Sequence, residues 1–156
     1  MVGGRVSNIT FELSIPLDKD GYIELECDYC KNRFMIKGEE FENGDFVHLF
    51  CPICGLPNRL NTFYTPEVLE KSKEIAKQWA LNYIKKSLGS SIKNLNRSGF
   101  IKMELDVPKA NPNIELYEPT QSYIVGRLEC CSFEIKVREI DNQIGVYCPR
   151  CGGCHI

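Results

Sequence analysis

The sequence predicts an α+β protein: two small β-rich modules joined by one long amphipathic helix. Three observations predict it. Two knuckles of the form C-P-x-C-G, Cys51-Pro52-Ile53-Cys54-Gly55 and Cys148-Pro149-Arg150-Cys151-Gly152, each lie downstream of other cysteines at a distance that suits a four-sulfur metal site. A strand-like alternation stopped by a proline opens each half, over 9–15 before Pro16 and over 100–107 before Pro108. Between the halves runs the clearest helical pattern of the chain. The expected order is a β segment and cysteine module over 1–64, the helix over 65–89, a polar linker over 90–99, and a second β segment with a degenerate cysteine module over 100–156.

In the first half, Ile9, Phe11, Leu13 and Ile15 share one face of a strand, and Asp18-Lys19-Asp20-Gly21 reads as a turn. Residues 22–26 lead into the first pair of cysteines. Residues 34–36 and 46–50 read as strands joined by a hairpin turn at Glu42-Asn43-Gly44-Asp45. The helix is expected over 66–88. Thr65 suits its cap, Pro66 its first turn, and Glu67 and Glu70 its positive end, while Gly89 is placed to stop it. Leu69, Ala76, Trp79, Ala80, Tyr83, Ile84 and Leu88 form its apolar stripe. The second half repeats the plan. Leu128-Glu129-Cys130 echoes Leu25-Glu26-Cys27, and strands over 133–137 and 144–147 flank an Asp141-Asn142 turn.

Composition narrows the function. The 156 residues are 43% hydrophobic and 26% charged, as in an ordinary globular protein. Nineteen basic against 21 acidic residues give a formal charge of −2, which removes the whole-chain attraction of a non-specific nucleic-acid binder. Nine cysteines in x-x spacing favour metal thiolates in a reducing compartment over disulfides. Residues 1–8 lack the apolar core of a secretory signal, and no run approaches the ~20 apolar residues of a membrane span. A cytoplasmic protein without membrane contact is expected.

The first candidate metal site is Cys27, Cys30, Cys51 and Cys54. Two intervening residues let both thiolates of a tight turn face one ion, and two such turns supply the tetrahedral shell of zinc. This arrangement resembles the zinc-ribbon family, over about residues 26–61. The resemblance implies a structural Zn2+ clamped between two β-hairpin knuckles; iron of the rubredoxin type suits the same knuckles and is the rival metal. The second candidate site is Cys130, Cys131, Cys148 and Cys151. Its upper pair is compressed to adjacent residues, which on a regular strand point to opposite faces. Matching Leu-Glu-Cys to Leu-Glu-Cys makes Cys130 the counterpart of Cys27; counting back from Cys131 puts Leu128 where a cysteine belongs. Cys154 and His155 are alternative donors.

No catalytic residues are expected. Four thiolates close the first site, and neither His48 nor His155 sits in a zinc-hydrolase motif. The expected function is a zinc-binding adaptor or accessory subunit with a protein partner, Phe46, Phe50, Phe63, Tyr64, Tyr117 and Tyr123 being candidate contacts. The alternative is a nucleic-acid-binding ribbon using Lys31, Arg33, Arg59 and the lysines of the helix.

Overall fold

The computed structural model describes residues 13–44, 46–97, 115–116 and 122–155, with 89–97 described as helix backbone alone. The expected strand over 100–107 lies outside these residues, as do residues 9–12 of the first; Leu13, Ser14 and Ile15 are described and are not in a strand.

Alternating residues build two antiparallel hairpins. β1 (Tyr22–Glu26) pairs with β2 (Arg33–Lys37) from Tyr22↔Lys37 to Glu26↔Arg33. β5 (Ile124–Leu128) pairs with β6 (Phe133–Val137) from Ile124↔Val137 to Leu128↔Phe133. Ile23, Leu25, Phe34 and Ile36 fall on one face of the first hairpin, and Leu128, Phe133, Ile135 and Val137 on the matching face of the second; all eight are buried in one core. A lone hairpin is marginal in water and leaves an open edge. Here β2 meets β6 through Met35↔Lys136 and Ile36↔Ile135, giving a four-stranded sheet of order β1-β2-β6-β5.

The pairing is a correction to the expected architecture. The cysteine-bearing halves are not separate modules on either side of a helix: residues 15–68 and 116–156 form one compact unit around a shared sheet. Their relation is a local pseudo-twofold centred on Ile36 and Ile135, which face each other across the seam. Each half adds a short helix and a small ribbon: α1 (Gly38–Asn43), β3 (Leu49–Phe50) and β4 (Pro57–Asn58) in the first, α3 (Glu139–Ile144), β7 (Val146–Tyr147) and β8 (Cys154–His155) in the second. The expected turns at Glu42-Asn43 and Asp141-Asn142 are therefore helical. Phe41 of α1 turns into the core, and Asp141 of α3 is held by Arg138 at 2.7 Å, contacts a tight turn would not provide.

α2 (Pro66–Arg97) starts where expected but passes through Gly89 into the expected linker. A glycine inside a helix costs only about 1 kcal/mol, and the residues that follow it are compatible with helix. Its first turn belongs to the sheet unit, where Thr65 and Val68 are buried; from Leu69 onward the helix belongs to a second compact unit. No described helix is long and apolar enough to cross a membrane.

The sheet face away from the core is a lattice of ion pairs. Arg33 reaches Glu24, Glu26 and Glu67 at 3.2, 3.0 and 2.7 Å. Lys136, nearly buried, donates to Asp18 and Asp20 at 2.6 Å each and lies 4.3 Å from the centre of the Tyr22 ring. Burial opposes ionisation of Asp18, but the Lys136 ammonium and the N–H groups of Tyr22 and Asp20 outweigh it and hold the carboxyl below its ordinary range. This contribution is present above the unfolded carboxyl range and lost as pH falls through the depressed folded value. Lys136→Met is expected to lower stability at pH 7 by about 1–2 kcal/mol, because two carboxylates lose their cation. Urea unfolding measures it, and an unchanged midpoint would refute it.

Candidate metal centres

Turn chemistry aims the sulfurs. In the first knuckle the Lys31 N–H donates to Cys27 O at 2.8 Å and Lys31 takes the left-handed conformation, φ 57°. In the second, the Gly55 N–H donates to Cys51 O at 2.9 Å with Gly55 at φ 71°. The result brings Cys27, Cys30, Cys51 and Cys54 together with every pair of sulfurs within 4.8 Å. Cys27–Cys54 and Cys30–Cys51 are both 3.7 Å apart. Zinc–sulfur bonds of about 2.3 Å in a tetrahedron require sulfur–sulfur edges of ~3.8 Å. The site has the size of the shell.

The other half reproduces this cluster with Cys130, Cys131, Cys148 and Cys151, again within 4.8 Å. Ser132 at φ 52° and Gly152 at φ 72° repeat the turns of Lys31 and Gly55, and the Gly152 N–H donates to Cys148 O at 2.8 Å. Ser132 follows Cys131 as Lys31 follows Cys30, both with positive φ, which favours matching Cys130 to Cys27 and Cys131 to Cys30. The turn between the paired leucine and phenylalanine is four residues shorter in the second half, two of them lost between the cysteines. The adjacent sulfurs converge because Cys130 and Cys131 occupy the turn beyond β5, not the strand itself. Cys154 belongs to neither cluster, and His155 places Nε2 3.0 Å from Cys130 Sγ.

The two clusters differ in their surroundings. Cys27 and Cys51 are buried, and Cys30 and Cys54 half-buried; at the second site Cys148 is buried, Cys131 half-buried, and Cys130 and Cys151 exposed. Without a cation, gathered thiols resist ionisation. Burial pushes the Cys51 thiol far up, the neighbouring sulfurs Cys27 and Cys30 adding to it. Cys130 is pushed up to about 12 by desolvation and by the thiols of Cys148 and Cys151, whereas the Gly153 N–H draws Cys151 down to about 7. A thiophilic divalent cation removes this conflict by deprotonating all four sulfurs of a set. The donor set in each half fits such an ion.

No protein-family model, curated protein or solved structure matches this chain. The two four-cysteine clusters are compatible with a double zinc ribbon, and that likeness rests on the clusters themselves.

A contact missed in the sequence joins the centres. Phe50, just before the lower knuckle of the first site, donates its N–H to Pro149 O in the lower knuckle of the second; Tyr147 donates to Pro52 O in return, both at 2.9 Å. The Phe50 ring covers Gly152 and the Tyr147 ring covers Gly55, so each knuckle glycine supports an aromatic from the other half. The available signal was an aromatic before, and a glycine after, both C-P-x-C motifs.

Several expected contact residues are instead packing residues. Phe63 is fully buried, 5.8 Å from Phe34 between ring centres, and Phe46 packs on Phe133 at 6.0 Å. Tyr64 stacks edgewise on Phe41, and Tyr123 donates its hydroxyl hydrogen to Glu24 at 2.7 Å. Tyr117 lies outside the described residues.

Proposed function

We propose that this chain is a non-catalytic zinc protein: two structural Zn2+ ions staple a pseudo-symmetric pair of ribbons, and the protein serves as an interaction adaptor or accessory subunit. The observation that carries the reading is the pair of closed four-sulfur clusters of tetrahedral size. Four protein ligands leave no position for substrate or water, the usual mark of a structural site. Zinc is preferred to iron because it is indifferent to redox state and suits a purely structural role. Thiolate ligands need a reducing compartment, so the cytoplasm is the implied location.

A protein partner is preferred to nucleic acid because of how the charges are used. Lys31, Arg33, Lys37, Arg127, Lys136 and Arg138 each meet a carboxylate within 3.3 Å. Such cations are compensated for phosphate contact. Exposed apolar side chains remain on the same unit, among them Ile140 and Ile144, 56% and 72% exposed and one turn apart on α3.

Elemental analysis of purified, folded protein should find about two zinc ions per chain. No retention of DNA or RNA at low salt is expected; binding whose logarithm falls linearly with log salt would replace the adaptor with the nucleic-acid reading. The double variant Ile140→Glu/Ile144→Glu should lose the partner recovered with the native chain while keeping its zinc and its melting temperature.

A further inference from the structure

Two clusters with the same four donors have unequal access to solvent, and this has a chemical consequence. Resting on the zinc reading above, we propose that the second centre is a peroxide-oxidisable site in which Cys130 and Cys151 close a disulfide and expel the metal, while the first centre stays intact.

The first centre is protected twice. Two of its sulfurs are buried, and backbone N–H groups reach them: Tyr29 and Cys30 toward Cys27, Ile53 and Cys54 toward Cys51. Hydrogen bonds to a thiolate withdraw the electron density an oxidant must reach, and burial excludes the oxidant. The second centre has lost part of this cover. Cys130 and Cys131 are adjacent, so the backbone N–H that Tyr29 presents to Cys27 has no counterpart at Cys130. The contacts that remain are the His155 ring, with Nε2 3.0 Å from Cys130 Sγ, and the Gly153 N–H at Cys151, and neither sulfur is covered from solvent. Cys130 and Cys151 are both exposed, and their sulfurs are 3.5 Å apart, already adjacent for bond formation. Cys148 is buried, and a bond between neighbours Cys130 and Cys131 would close a strained ring.

The chemistry balances with hydrogen peroxide as oxidant. One exposed thiolate of the pair attacks a peroxide oxygen: an S–O bond forms, the O–O bond breaks, and hydroxide leaves to become water. The other thiolate attacks the resulting sulfenic sulfur; the S–S bond forms, the S–O bond breaks, and a second hydroxide leaves as water. Two thiolates, one peroxide and two protons give one disulfide and two waters. Zinc, left with two of four ligands, dissociates. A thiol reductant reverses the oxidation and restores the site.

Zinc is first counted in the untreated full-length protein. Hydrogen peroxide is then added with a zinc-binding dye, and disulfides are mapped by peptide mass spectrometry. The expected result is release of about one equivalent at least ~10-fold faster than the second, a single Cys130–Cys151 disulfide, and unmodified Cys27, Cys30, Cys51 and Cys54. Cys154→Ser should release zinc at the native rate. Two zinc ions lost at one rate, none lost, or a disulfide to Cys154 overturns the proposal alone. A chain that carries one zinc or none before oxidation overturns the metal reading of the second cluster, and the proposal with it.

Discussion

Cys54→Ser is expected to remove about one zinc ion and to unfold both ribbons together. A structural zinc in a small module supplies on the order of 10–16 kcal/mol of binding energy, comparable with or larger than the ~5–15 kcal/mol net stability of a whole domain. Serine is a poor ligand for a soft site, so most of that contribution is lost. The damage spreads because the site is part of the core: Cys27 and Cys51 are fully buried in the cluster that contains Leu25 and Phe34 from one half and Phe133 and Ile135 from the other. Strand β2 also supplies the pairing edge of β6. Zinc analysis with two-dimensional amide NMR measures both effects at once. A variant in which residues 122–155 keep native, dispersed signals would show two independent modules and refute the shared core.

The first four-cysteine cluster was legible because its information is local. Two C-x-x-C turns each define a pair of convergent sulfurs, and their separation permits one ion. The second was only partly legible: whether the adjacent Cys130 and Cys131 converge depends on backbone direction, and the identity of Ser132 gives no sign that it takes the left-handed conformation of Lys31. The short helices were missed because six residues from Gly38 to Asn43 are too few to show a helical period, and Asn and Gly at their ends read equally well as a turn. The β2–β6 seam was hidden for a different reason. Both strands carry the same alternation as many others, and nothing in Met35-Ile36 names Ile135-Lys136 as its partner across the chain. Among the aromatics, Phe63, placed by sequence near a ribbon edge, is fully buried against Phe34, because burial is set by tertiary packing and not by local pattern.

The seam makes a second, more specific prediction: Gly152→Ala should destabilise the protein by about 2–5 kcal/mol without displacing either zinc. Gly152 holds φ at +72°, where a side chain costs about 1–2 kcal/mol. The added Cβ would also lie 2.9 Å from Cδ1 and Cε1 of Phe50, forcing that ring off the knuckle at a further cost of ~1–3 kcal/mol. The ring cannot move freely, because the Phe50 backbone N–H is bound to Pro149 O in the same knuckle. A double-mutant cycle separates the two costs. In Phe50→Ala/Gly152→Ala the clash disappears and the backbone strain remains, so the pair should cost at least about 1 kcal/mol less than the sum of the single variants. Urea unfolding at constant zinc content provides the four stabilities. Strict additivity would mean that Phe50 and Gly152 do not touch in solution, and the reciprocal aromatic-on-glycine contact between the two centres would have to be abandoned.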